Sequence, residues 1–359
     1  MASLPLASQS SLNQAPGPVP STSPGRVALV LNHRARGVTG VLAERLTRLV
    51  GAHHVYASHT MTQAVSLSET LVKRGYDTVV CAGGDGTFIS AVNHILRHSN
   101  ALPARRRRPL PAFAFLALGT GNALRHCVNG SDPVADLARL MAGEATASLE
   151  LPLIEGPHNE RFCFGGLGYD SMLLSDYTWL CEHITRGPAR PIVRSLAGYI
   201  AALCSRTLPR LARHPDLLHA RVTLDAPGYF IDPSRGDALT AVPEGTTVFE
   251  GKLGMLGVGT TPFYGYGLKI FPFAGMLPGM MQLRIITMGP AHALRHLPSL
   301  WNGSYRNAEM VRDFAAQALS VHLSAPNPFQ HSGEDRGEVQ DLRLAMSPER
   351  LRLVNFAHG

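Results

Sequence analysis

The sequence contains no apolar run of 18 or more residues. The nearest, 270–288, is interrupted by Pro272 and Pro278, so no transmembrane span is expected. Charge is scarce, at 16% of residues against 45% hydrophobic, which excludes wholesale disorder and leaves ample material for a core. The five cysteines (Cys81, Cys127, Cys163, Cys181, Cys204) are odd in number and follow no metal-ligand spacing. Small buried thiols in a reducing, cytoplasmic compartment are expected rather than a disulfide framework or a zinc module. None of the 16 histidines pairs with cysteine or acid at metal spacing either. Acids are the minority charge, 26 against 33 basic residues, and the net charge of +7 favours anionic partners such as nucleotides or acidic membrane surfaces. A basic signal-peptide flank is also missing. Residues 1–25 are rich in Pro, Ser, Ala and Gly and read as a disordered leader.

What is present is organised around Gly83-Gly84-Asp85-Gly86-Thr87. Before it, Thr78 to Cys81 reads as a buried parallel strand. After it, Phe88, Val92 and Ile95, widened by Ile89 and Leu96, form a helical stripe. Three glycines allow a sharp turn and let a ligand approach bare N–H groups, and a helix N-terminus favours phosphate. A carboxylate repels phosphate unless a cation intervenes, so Asp85 suggests Mg²⁺ bridging to a nucleotide. The plainer alternative makes Asp85 a helix cap in a glycine turn.

The surrounding pattern is β–α–β–α–β–α from Val27, with strands over 27–31 and 53–57. The first helix carries Val38, Val41, Leu42, Leu46 and Leu49 on one face. Such alternation predicts a doubly wound parallel sheet whose ligand lies beyond the carboxyl ends of its strands. Asn32, Thr60 and the 83–87 loop fall at such ends. A further strand, Ala112 to Leu118, closes in Gly119-Thr120-Gly121-Asn122, a second glycine turn before a helix. Two such turns on one sheet are far more specific for a two-sided phosphate site than one. Arg105–Arg108, between prolines, reads either as a solvated loop or as a patch for anionic headgroups. No aromatic residue is interleaved with it, so no specific nucleic-acid partner is expected.

After residue 148 the pattern changes to alternating strands (Arg221–Leu224, Met281–Ile285, Leu319–Leu323, Leu342–Met346), which predicts an antiparallel β-sandwich. One helical insertion near 190–212 is expected to pack on the sandwich, membrane contact through Arg194, Arg206 and Arg210 being the lesser alternative. The domains expected are therefore 26–148 with 347–359, and 149–346.

The pair Gly83–Thr87 and Leu118–Asn122 resembles the diacylglycerol kinase catalytic domain, whose superfamily also holds sphingosine, ceramide and bacterial YegS-type lipid kinases. Phe164–Asp170, Ser332-Gly333-Glu334 and Ser347–Leu353 are similar to later segments of that family. The resemblance implies ATP- and Mg²⁺-dependent phosphoryl transfer to a lipid hydroxyl, of diacylglycerol or sphingoid type, at an anionic membrane surface. It implies a nucleotide lying between the domains, lined by Asn32, Thr60, Gly83, Gly84, Asp85, Gly86, Thr87, Gly119, Thr120, Gly121 and Asn122, with Asp170 facing the lipid headgroup.

One departure bears on catalysis. The family's presumed general base is the aspartate of Asp-Gly-Glu, and here that position is Ser332. A serine hydroxyl does not accept a proton at neutral pH as a carboxylate does. The adjacent Glu334 and Asp335 are the candidate replacements. The rival reading is a protein that keeps the fold and binds lipid or nucleotide without turnover. NAD kinases share the Gly-Gly-Asp-Gly-Thr loop, but their Asn-Glu signature is missing downstream of Asp85. The oligomeric state is left open, a homodimer included.

Overall fold

The structure, a computed structural model, describes residues 25–33, 35, 37–58, 61–119, 121–144, 147–184, 190–193, 195–213 and 218–356. The expected leader lies, but for Gly25, outside them. The described chain divides into two units. One comprises 25–153, 263–268 and 347–356, the other 154–262 and 269–346. Residues 149–153 and 263–268, expected in the second domain, thus belong to the first unit.

In the first unit four parallel strands, β1 (Val27–Asn32), β2 (Val55–Ser58), β3 (Thr78–Gly83) and β4 (Ala112–Ala117), stand in the order β2-β1-β3-β4. Helices α1 (Gly40–Val50), α2 (Met61–Arg74) and α3 (Asp85–Ala101) make the crossovers. The step from β1 to β2 runs one way and the steps to β3 and β4 run the other. Right-handed crossovers therefore send α1 to one face and α2 and α3 to the opposite face. Accordingly α2 packs with α3, whereas α1 packs with α5 (Pro133–Met141), which follows the short α4 (Arg125–Val128). The strand order reverses at β1, which puts the switch point, where ligands bind in such sheets, between the ends of β1 and β3.

The helix α3 owes its place to Phe88, Ile89, Val92, Ile95 and Leu96, all buried, with Phe88 edge-on to Phe113 and Phe115 of β4. The helix α1 turns a different face inward from the one expected. Ala43, Leu46 and Val50 are buried while Val41 is 72% exposed. Its start at the Thr39 cap, which accepts from the Leu42 N–H, sets that phase. The strand expected over 53–57 begins later, because a tight helical turn occupies Ala52–His54.

The second unit holds the rest of β5 (Ala147–Glu155), then β6 (Arg161–Phe162), β7 (Phe164–Gly168), β8 (His219–Leu224), β9 (Gly228–Asp232), β10 (Ala238–Val242), β11 (Thr247–Lys252), β12 (Met255–Gly259), β13 (Met281–Ile286), β14 (Val311–Ala316), β15 (Ala318–His331) and the first part of β16 (Glu334–Asn355). Neighbours run β10-β9-β14-β13-β12-β7-β15-β16, all antiparallel, with β8 also on β15 and β11 on β8. This is the antiparallel β architecture that the alternation predicted. A buried Arg284 gives two hydrogen bonds to Asp313, at 2.9 and 3.1 Å, and a third to the Ile270 carbonyl, pinning the loop before β13 to the sheet. The strand β16 is shared. Its early residues pair with β15, and its Leu353 lies beside Phe113 of β4 in the first unit.

Between β7 and β8 the chain makes a helical excursion: α6 (Tyr169–His183), α7 (Arg190–Val193), α8 (Leu196–Ala202), a wide turn over Leu203–Thr207, and α9 (Leu208–Arg213). The single insertion helix expected is therefore several short pieces. Arg194, named for it, lies outside the described residues.

Candidate functional site

The two glycine loops close neighbouring strands, and they meet. The Leu118 N–H bonds the Gly83 carbonyl at 2.8 Å, extending the β3–β4 pairing into the loops. One residue later the backbones touch. A Cβ built on Gly119 would lie 2.3 Å from the Gly84 Cα and 3.0 Å from the Gly84 nitrogen. No side chain fits at Gly119, while a Cβ on Gly84 would meet the Gly119 Cα at the tight distance of 3.2 Å. Asn122, in the left-handed region at φ 47°, closes the second loop, accepting from the Gly119 N–H at 3.0 Å and donating to the Gly119 carbonyl at 2.7 Å. Across the switch point, Asn32 at the end of β1 donates to the Thr87 hydroxyl in the first turn of α3, at 2.7 Å. The structure thus brings together Asn32, Gly83, Gly84, Asp85, Gly86, Thr87, Gly119, Gly121 and Asn122. Thr60 and Thr120 lie outside the described residues.

Asp85 differs from expectation in its surroundings. It is the first residue of α3 and is buried rather than displayed on an exposed loop. One carboxylate oxygen accepts from the Ala123 N–H at 2.7 Å and the other from the Leu124 N–H at 3.1 Å. The side chain therefore ties the first glycine loop to the turn that follows the second. Burial pushes its pKa up to about 6, against the pull of those N–H groups. Each oxygen thus holds one backbone N–H, and Asp85 ties the two loops together, a contact that the sequence reading of it as a magnesium ligand did not include. Among the described residues no cluster of three His, Cys, Asp or Glu side chains could hold a metal ion.

Two contacts at this site had no sequence signal. The Gly37 N–H reaches the Leu118 carbonyl at 2.9 Å, bringing the turn after β1 against the second loop. The Tyr266 N–H reaches the Gly121 carbonyl at 2.8 Å, so residues 263–268 brace that loop from a distant part of the chain.

The second unit carries the other predicted residues. Ser332 and Gly333 form the two-residue tip between β15 and β16, both in the left-handed region at φ 53° and 76°. A tip of this kind matches the twist of its strands, though serine is an unusual occupant. Ser332 is buried, with its N–H on the Phe164 carbonyl at 3.0 Å and no hydrogen-bond partner for its hydroxyl.

The hairpin register then separates the two candidate carboxylates. His331 pairs with Glu334 and Gln330 with Asp335, and paired residues share a face of the sheet. On the Glu334 face His331 bonds Glu160 at 2.8 Å and stacks on Phe162, while Glu334 is held by Arg336 at 2.9 Å. Burial lowers the His331 pKa, against the pull of Glu160. The opposite face carries Gln330, whose amide lies 3.4 Å from the Asp170 carboxylate at the start of α6. Asp335 is on this face, with one oxygen accepting from the Gly337 N–H at 2.9 Å. Gln330, absent from the sequence reading, is thus the residue that joins Asp170 to the hairpin.

Residues 27–150 match the model of the diacylglycerol kinase catalytic domain, and 242–355 match that of the YegS C-terminal NAD kinase beta sandwich-like domain. A protein described as "Probable lipid kinase YegS-like" from Xanthomonas oryzae pv. oryzae strain MAFF 311018 is 24% identical over 290 residues, covering 79% of this chain and 80% of its own. The counterpart from strain KACC10331 matches at the same figures. A crystal structure of a diacylglycerol kinase from Bacillus anthracis str. Sterne superposes with a TM-score of 0.60 at 12% identity, over 93% of this chain and 98% of that one. At that identity the likeness is one of fold.

Proposed function

We propose that this chain, which belongs to the diacylglycerol kinase catalytic domain superfamily, transfers the γ-phosphoryl group of ATP to the hydroxyl of a lipid of diacylglycerol or sphingoid type. The observation that carries the reading is the backbone contact of the two glycine loops at the switch point, with α3 starting between them. Phosphoryl transfer asks a protein chiefly for positioning and charge stabilisation. Bare loop N–H groups and the positive end of a 17-residue helix supply both for the nucleotide phosphates. The donor set fits a nucleotide but not a metal caged by protein side chains. Magnesium arriving with ATP keeps most of its ligands as phosphate and water, which such a site tolerates, and supplies charge neutralisation when bound.

The chain's own residues divide the remaining work. Asn32 fixes the Thr87 hydroxyl in the first turn of α3, and Asp85 holds the two loops in register. For the acceptor, we assign the proton-accepting role to Asp335 in preference to Glu334. Asp335 shares its face with Gln330 and, through it, Asp170, and it retains an oxygen not engaged by Gly337, whereas Glu334 is paired with Arg336. Asp170 would receive the headgroup. The setting is the cytoplasmic side of an anionic membrane.

A second reading, a lipid- or nucleotide-binding protein without turnover, draws on the buried hydroxyl of Ser332 where the family has an acid. Steady-state phosphorylation of diacylglycerol, monoacylglycerol, sphingosine and ceramide with labelled ATP separates the two. Turnover in the parent supports the kinase. ATP binding with turnover only in Ser332→Asp establishes the binding protein.

A further inference from the structure

The excursion α6–α9 lies between the two family matches, outside both. It leaves large apolar side chains uncovered: Trp179 is 38% exposed, Ile192 60%, Ile200 56% and Leu208 37%. Its polar side chains serve one end. The buried Asp176 accepts from Arg206, Thr207 and Arg210 at 3.1, 2.8 and 2.5 Å. The Arg206 guanidinium lies over the Trp179 ring at 3.8 Å, and His183 stacks on the same indole. The aromatic side chain is thus held in place by a cation that is itself held by a buried acid.

The charge of the excursion is unevenly distributed along the sequence. From Ile184 to Pro215 the sequence has no Asp or Glu and carries Arg186, Arg190, Arg194, Arg206, Arg210 and Arg213. Across Tyr169–Arg213 these six arginines face three acids, Asp170, Asp176 and Glu182, so the excursion keeps a net charge of +3. We infer that the excursion α6–α9 is the surface by which this protein docks on an anionic bilayer, with Trp179, Ile192 and Ile200 entering the headgroup region.

Aliphatic tips with tryptophan at the interface and arginine around it are the composition of helices that lie on membranes. Each arginine near an anionic surface raises binding about five-fold. The Arg105–Arg108 patch has the charge without the apolar tips. Its Arg107 side chain is spent on the Leu102 and Asn100 carbonyls. The inference rests on the lipid-kinase reading for its purpose, and its test keeps the two apart.

The chain has two tryptophans, so Trp301→Phe leaves Trp179 as sole reporter in the full-length protein. Its emission is measured with phosphatidylcholine vesicles, with and without phosphatidylglycerol. Anionic vesicles should shift it to the blue and neutral ones should not. Ile192→Asp and Ile200→Asp, both at exposed positions, should each weaken binding roughly ten-fold with the circular dichroism unchanged. Charge reversal at Arg105–Arg108 should leave the shift in place. Vesicle binding with Trp179 emission unmoved overturns the inference. So does an Ile200→Asp variant that only dissociates a dimer in sedimentation, since a second copy then covers the face. Turnover of a short-chain, water-soluble acceptor is assayed in parallel. Turnover without vesicle binding removes the docking surface and keeps the kinase; vesicle binding without turnover on any acceptor does the reverse.

Discussion

The Asp85→Asn substitution should change the pH dependence of stability more than stability itself. Burial raises the Asp85 pKa in the folded protein to about 6, from an ordinary 3.8. Between those values the folded state binds the proton that the unfolded state has released, so stability falls as pH rises. It is fully present below the unfolded pKa and lost as pH climbs through the folded one. A shift of about two units corresponds to ~3 kcal/mol. Asparagine does not titrate, so the variant lacks this slope. It also turns an amide N–H₂ toward one of the two backbone N–H groups at Ala123 and Leu124, leaving an acceptor missing at a cost of ~1–3 kcal/mol. Below pH 4 the variant should therefore be the less stable protein, by that second amount. Above pH 6.5 it should equal or exceed the parent. Urea unfolding followed by circular dichroism over that range, variant minus parent, isolates the effect, because the other carboxylates cancel. A flat difference would refute the reasoning, and would mean that the two N–H groups fully offset the cost of burying the charge. In the kinase reading the same variant loses turnover at every pH, because the loops are no longer held in register.

Three further outcomes are expected. Gly119→Ala places a methyl 2.3 Å from the Gly84 Cα, so the loops must separate; overpacking should cost ~1–3 kcal/mol and ATP affinity, by calorimetry, should fall sharply. Asp335→Asn should lower turnover by roughly 10²- to 10⁴-fold with nucleotide affinity little changed, while Glu334→Gln stays within a few-fold in the same steady-state assay. Arg284→Met strands Asp313 as an unpaired buried charge and should destabilise by ~3–5 kcal/mol in denaturant titration, whereas Arg284→Met with Asp313→Leu should recover much of it.

The first unit was legible because its signals are local. Each parallel strand is an apolar run, each is followed by a helical stripe, and the glycine turns lie between them. The face of α1 was misread because Val41 and Leu42 fit a periodic stripe, while the Thr39 cap, which fixes the phase, is a single hydroxyl. The 14-residue β15 and the 22-residue β16 were seen only as the fragments Leu319–Leu323 and Leu342–Met346. Register shifts near Asn327 and Gln330 break the alternation there. The strand Phe164–Gly168 was invisible as a strand, since three of its five residues are glycine. Its glycines are required by close neighbours: a Cβ on Gly166 would lie 2.4 Å from the Leu256 carbonyl oxygen. The loop contacts of Asp85 join residues 38 and 39 positions apart, and no periodicity encodes such a pairing.

The shared strand β16 has a consequence for the order of events during synthesis. Its Leu353 supplies the neighbour of β4, and the Phe356 N–H beyond it bonds the Val128 carbonyl at 2.8 Å. These residues leave the ribosome after nearly all of the second unit has been made. At ~5–20 residues per second, roughly two hundred intervening residues take on the order of 10–40 s. Through that interval the outer edge of β4 awaits its partner, so the sheet edge beside the glycine loops is completed last although it is translated first. A nascent chain stalled before residue 347 should then be open to protease at β4 and α4, and a chain released past residue 356 should resist it there.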